Sequence, residues 1–342
     1  MYVVWIIEDI RMNDFKKMTN SAQNAMIHVL NLKKEDIVLV ITDEHTKNEG
    51  EAFYTAAIDY GSKAHLYFLP ENNRPLLEIP LEMSSLVEGK TIVINAFKGG
   101  AEETPFRVKW LDEVLVTKSI RVGHCPSITK SMIIGGPMNI DYKKLVKLAT
   151  KMINSFNHAK QVHITAPGGT DIILCIEDRG FSTDAQLLDE SHIANLPCGE
   201  VWCAPVETIG DGLIVCDGSI GDIGNVSKPL KIFLEKGQVI KIESDDKKLV
   251  ESVEKLINVD EEARIIGELG IGLNPGAKLT GNLLEDEKAL KTAHIAFGNN
   301  EDMEGGQNKS KTHRDFLFNK PTMNVTFKDG SSKVLIKDGN IL

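Results

Sequence analysis

Short apolar runs closed by polar turns recur through the first part of the chain: DIVLVITD (36–43), AHLYFLP (64–70), TIVINAF (91–97) and EVLVTKS (113–119). Unbroken apolar runs of this length suit strands buried on both faces. Between the runs the apolar spacing becomes helical. Phe15, Met18, Ala22, Met26, Val29 and Leu30 share one helical face over 12–32, and Phe53, Ala56, Ala57 and Tyr60 share one over 50–60. Strands alternating with helices predict a mainly parallel sheet covered on both sides. A helix over 140–156, with Leu145, Leu148, Ile153 and Phe156 inward, closes an α/β N-terminal domain placed at 1–158.

From residue 161 the pattern changes. QVHITAPG, DIILCIED, EVWCAPVE, GLIVCDGSI, PLKIFLEKG and QVIKIES follow one another across turns rich in Gly, Asp and Pro, so antiparallel pairing is expected. One helix, 246–258, turns Leu249, Val253, Leu256 and Ile257 inward. The closing segment MNVTFKDGSSKVLIKDGNIL reads as a hairpin turning at Asp329-Gly330, with a further turn at Asp338-Gly339. Residues 159–342 are therefore expected to form an α+β, mainly antiparallel C-terminal domain.

Composition adds limits rather than a function. The 342 residues carry a formal net charge of -10 and no basic stripe, which argues against a nucleic-acid surface. The opening MYVVWIIEDIRM is too short and too acidic for a signal peptide or a membrane span, so no membrane partner is expected. Five cysteines without a framework spacing fit reduced thiols and a cytoplasmic location.

The chemistry concentrates between Glu268 and Asp315. His313 and Asp315 lie two apart in THRDFLF, so on a strand both face one centre while Arg314 and Phe316 face away. His294 stands in KTAHIAFG, and a Gly-rich turn between the two segments lets them fold together. Glu200 in NLPCGEVWCAP and Glu268 in GELGIGLNPGA sit among apolar, Gly and Pro residues, where an unpaired carboxylate would be costly; a metal ion removes that cost. Imidazole with carboxylate suits a borderline divalent ion. The glycines of GELGIGLNPGA do not have dinucleotide-binding spacing, and Cys198 and Cys203 lack the second pair of a zinc site, so they read as buried small hydrophobes. His124, in RVGHCPS at the end of a parallel-sheet run, is a candidate pocket residue or a loop histidine with a satisfied hydrogen bond.

These stretches, with APGGTDIIL (166–174), DEKALKTAHIAFG and NKSKTHRDF, resemble in order the aminopeptidase T and aminopeptidase S family of metallo-aminopeptidases. The resemblance implies a homodimer and two divalent ions (Zn, Co or Mn) held by Glu200, Glu268, His294, His313 and Asp315, with Glu268 also taking a proton in catalysis. It implies hydrolysis of a short peptide or small amide by metal-activated water. Where the family carries a tyrosine after its first histidine this chain reads Asn299, Asn300, Glu301, which makes Glu301 a substrate-facing candidate. A shorter branch similar to 2,5-dihydroxypyridine dioxygenase implies an alternative, one Fe(II) on His294, His313 and Asp315. A metal-binding protein without turnover is the third reading.

Overall fold

The computed structural model describes residues 2–187 and 192–342 and divides into two compact units, 1–146 with 184–198, and 147–183 with 199–342. The helices are α1 (Tyr2–His28), α2 (Lys47–Tyr60), α3 (Leu81–Leu86), α4 (Thr104–Lys109), α5 (Lys130–Ile133), α6 (Tyr142–Ser155), α7 (Lys247–Leu256) and α8 (Leu283–Asp286).

In the first unit β1 (Ile37–Thr42), β2 (Lys63–Phe68), β3 (Ile92–Ala96) and β4 (Arg121–His124) form a parallel sheet in the order β2-β1-β3-β4. Alternate residues feed opposite faces. Leu39, Ile41, Val93, Phe97 and Val122 pack with Phe106, Trp110 and Met83 in one apolar cluster. On β1 the intervening Val38 and Val40 are equally buried, and α2, which lies against β1 and β2, buries Ala52, Phe53, Ala56 and Ala57. Burial on both faces is why β1 and β3 read as continuous apolar runs, whereas the edge strand β2 has no fully buried residue.

Two expectations for this region need correction. EVLVTKS is not a strand: Trp110–Leu115 forms a turn of π-helix continuing α4, followed by a 3-10 turn over Val116–Lys118. The wide turn buries both Trp110 and Leu115, five positions apart, and the strand comes later as β4. The boundary expected at 158 also differs. The units divide after 146, within α6, and 184–198 returns to the first unit, where a fifth strand, β8 (Ile193–Asn195), pairs parallel with β4.

The second unit is built from two antiparallel sheets. One runs β14-β13-β10-β6-β5-β18-β19-β20, from β5 (Ala159–Thr165), β6 (Asp171–Cys175), β10 (Gly210–Cys216), β13 (Leu230–Glu235), β14 (Gln238–Glu243), β18 (Thr322–Phe327), β19 (Ser332–Lys337) and β20 (Asn340–Ile341). The other runs β12-β11-β17-β16-β15-β9-β7, from β7 (Ser182–Thr183), β9 (Glu200–Cys203), β11 (Ser219–Ile220), β12 (Gly224–Asn225), β15 (Ile266–Gly272), β16 (Thr292–Gly298) and β17 (His313–Asn319). The α/β plus mainly antiparallel α+β architecture is as expected, and α7 and the β18–β19 hairpin fall where the sequence places them.

Candidate metal centre

Four adjacent strands of the seven-stranded sheet, β9, β15, β16 and β17, carry the five candidate ligands. One face holds the core: Leu269, Ile271, Ile295, Phe297, Phe316 and Phe318 are fully or almost fully buried, with the Phe297 and Phe316 rings edge to face at 5.6 Å. The other face alternates ligands with very small residues. Glu268, Ala296 and Asp315 form one row across β15, β16 and β17, and Gly270, His294 and Leu317 form the next. Glu200 on β9 stands opposite Gly272 on β15.

That alternation makes the concavity. The methyl of Ala296 leaves room for the carboxylates on either side of it. Gly270 is needed in a stricter sense, because a Cβ there would lie 1.9 Å from His294 Nε2.

Glu268 occupies the middle. Its Oε1 is 3.2 Å from His294 Nε2 and its Oε2 is 3.0 Å from His313 Nε2. His294 Nε2 is also 3.5 Å from Glu200 Oε2, and Asp315 Oδ1 lies 3.6 Å from His313 Nε2 and 3.9 Å from His294 Nε2. Two triads result, Glu200–Glu268–His294 and Glu268–His313–Asp315, each with ligand atoms within 4.8 Å of one another. Both contain Glu268.

Four of the five side chains are at most 8% exposed, whereas His313 is 31% exposed and marks the open side. His313 Nδ1 donates to the Asn299 carbonyl at 2.7 Å, which leaves Nε2 turned to the centre with its lone pair available once deprotonated.

Without a cation the charges must be met by protons. Burial opposes charge on His294, but hydrogen bonding to Glu268 and the carboxylates of Glu200 and Asp315 hold its pKa up at about 9. Burial likewise opposes charge on His313, and Asp315 and Glu268 hold it well above the ordinary range. For Glu268, burial would raise the carboxyl, yet hydrogen bonds from the two imidazoles hold it well below its usual value. Two imidazole nitrogens and three carboxylates, buried and converging on Glu268, fit one or two divalent ions of the zinc, cobalt or manganese kind.

Sequence reasoning missed two neighbours. Lys288 is fully buried, and its ammonium donates to Glu200 Oε1 and, at 2.6 Å, to Glu287 Oε1. Burial raises the Glu287 carboxyl, Lys288 opposes that, and Asp315 adds to it, so Glu287 shares the field of the centre. In the sequence these residues belong to the charged run EDEK, in which no spacing marks them as neighbours of the centre. Only the fixed, buried geometry distinguishes them.

Two other candidates stand elsewhere. Glu301 does not join the five: its carboxylate pairs with Lys309 at 2.9 Å on the surface. Its neighbour Asn300 is fully buried and structural, bonding Glu207 and the Gly267 carbonyl, while Asn308 ties the same loop to the carbonyls of Gly298 and Glu262. His124 ends β4 in the first unit, where burial and the Arg107 guanidinium depress it to about 3; its Nδ1 has no hydrogen-bond partner among the described residues. Cys198 and Cys203 are buried, as expected.

The fold and this centre define a two-unit protein with a candidate carboxylate–imidazole metal site on an antiparallel sheet. The chain belongs to the thermophilic metalloprotease (M29) family, whose model matches residues 137–341. It is 25% identical over 207 residues to aminopeptidase AmpS of Bacillus subtilis, covering 54% of this chain and 49% of that protein. Over 165 residues it is 30% identical to aminopeptidase T of Thermus aquaticus, covering 42% of this chain and 39% of that protein. The chain thus spans about half the length, or less, of these curated relatives. Two solved structures share the fold. The 2,5-dihydroxypyridine dioxygenase of Pseudomonas putida KT2440 superposes with a TM-score of 0.73 at 17% identity, over 95% of this chain and 96% of that one. AmpT of Thermus thermophilus superposes with a TM-score of 0.69 at 15% identity, over 96% and 99%.

Proposed function

We propose that the chain is a metal-dependent hydrolase of the aminopeptidase kind, acting on short peptides or small amides through Glu200, Glu268, His294, His313 and Asp315. The observation that carries this reading is the place of Glu268, common to both triads with each oxygen turned to a different imidazole. A carboxylate so placed would contribute to holding an ion at either triad. The five residues would hold such ions, and bound ions would supply a Lewis acid for the scissile carbonyl and lower the pKa of water. The partly exposed His313 edge is where substrate would approach, and the sheet's apolar face holds the ligand strands rigid behind it.

The single-iron alternative relies on His294, His313 and Asp315 acting without Glu268, whereas both compact triads include Glu268. Membership of a metalloprotease family supports the hydrolase reading, while the shared fold fits both activities. The test is release of the N-terminal residue from di- and tripeptides by chelator-stripped protein reloaded with Zn, Co or Mn. Turnover that requires the ion and disappears in Glu268→Gln is expected. Stoichiometric ion binding without hydrolysis of any such peptide, together with oxygen uptake on hydroxylated pyridines by the Fe(II)-loaded chain, would replace the hydrolase with the dioxygenase.

A further inference from the structure

Lys288 contributes no atom to either triad, yet its ammonium is sealed beneath one of them. A lysine side chain with no exposed surface is rare, and it persists only when its charge is matched. Here Glu200 and Glu287 match it, from opposite circumstances. Glu287 precedes Lys288 in the chain, and Glu200 comes from β9, a separate strand. The contact therefore ties the connection between α8 and β16 to the edge of the ligand set.

The two oxygens of Glu200 are used differently. Oε1 accepts from Lys288 Nζ, and Oε2 points to His294 Nε2 at 3.5 Å. Glu200 reaches the centre from β9, whose backbone pairs with β15 opposite Gly272, and the Lys288 contact orients its carboxylate. Among the described residues, the ion-pair partners of Glu268 and Asp315 at the centre are the imidazoles of His294 and His313.

We propose that Lys288 is a positioning residue that acts through Glu200. It reserves Oε1, leaves Oε2 as the single donor oxygen toward the Glu200–Glu268–His294 triad, and so makes the two ion positions unequal. The inference rests on the metal-centre reading above. Residues that orient a ligand from behind typically change metal affinity by about 10–100-fold when removed. That loss should fall on one position, because the Lys288 ammonium pairs with Glu200, a member of the Glu200–Glu268–His294 triad.

The experiment is calorimetric titration of chelator-stripped protein with Zn2+, with the visible spectrum of the Co2+ form as a second readout of coordination. Lys288→Met is expected to weaken one of two ions by at least tenfold and to leave the other within about threefold. Glu200→Gln should weaken the same ion, and the double variant should be no worse than Glu200→Gln alone, since residues acting through one contact are not additive. Glu287→Gln, which keeps the Lys288–Glu200 contact, should retain both ions. If Lys288→Met does not fold, Lys288→Gln retains an N–H donor without the charge and takes its place, judged on the same titration. Equal weakening of both ions, unchanged affinities, or effects that add to those of Glu200→Gln would overturn the proposal. Failure of the unsubstituted chain to bind any ion would instead remove the metal-centre reading on which it rests.

Discussion

Replacing Gly270 with alanine places a methyl where the His294 ring lies. The new Cβ would sit 1.9 Å from Nε2, 2.1 Å from Cε1 and 2.7 Å from Cδ2. Ordinary contacts between such atoms are about 3.5–4.0 Å, so the ring must move by roughly 1.6 Å or more. His294 is 1% exposed and cannot simply swing outward. Overpacking of this kind costs about 1–3 kcal/mol, which in a unit of this size lowers Tm by about 2–12 °C. The functional effect is larger. Metal–nitrogen bonds tolerate only about 0.2 Å, so the displaced ring no longer ligates with Glu200 and Glu268. Gly270→Ala should therefore fold with a lowered Tm and lose the ion of the Glu200–Glu268–His294 triad, while Glu268, His313 and Asp315 keep theirs. Differential scanning calorimetry and ion counting by native mass spectrometry measure both effects. A variant with wild-type Tm and both ions would show that the ring does not occupy this space in the working protein.

Other expectations follow from the same geometry. His313→Ala should reduce bound metal and abolish peptide turnover with little change in Tm, because the side chain is partly exposed; unchanged metal content would remove it from the ligand set. Metal uptake at pH 7 should release protons, since His294 held at about 9 must lose its proton to ligate, and affinity should rise with pH up to about 9. In the metal-free chain the same raised pKa contributes stability that is full below the unfolded value of about 6.5 and is lost as pH rises through about 9. Denaturant titrations of the metal-free chain at pH 6 and pH 9.5 would show it, and equal contributions at both, compared with a His294→Gln control, would count against it. In the first unit, Arg74→Ala leaves the buried carboxylates of Asp43 and Glu103 without their guanidinium partner, and about 3–5 kcal/mol of stability should be lost. A loss below about 1 kcal/mol in urea unfolding would contradict the pairing.

Periodicity revealed those parts of the fold in which burial repeats. The runs at 36–43 and 91–97 became β1 and β3, buried on both faces, and the run at 64–70 became the half-exposed edge strand β2. It failed where burial had another rhythm: Trp110 and Leu115 meet on a π-turn, and alternating valines nearby imitate a strand. The three residues of β8 are too few to carry any period, so the return of 184–198 to the first unit could not be read in advance. Within the centre, His313 and Asp315 were readable from their two-residue spacing, and His294 from the Gly-rich turn that joins its segment to theirs. Gly270 and Ala296 gave no chemical signal, since their part is to be small, and Lys288 looked like any surface lysine. Glu301, read from its position after His294, pairs with Lys309 at the surface.

The shared position of Glu268 is tested most directly by counting ions. Chelator-stripped protein titrated with Zn2+ should saturate at two ions per chain by native mass spectrometry, and Glu268→Gln should weaken both, since both triads use that carboxylate. Saturation at a single ion, or a Glu268→Gln variant that binds two ions as tightly as the parent chain, would contradict a centre built around Glu268.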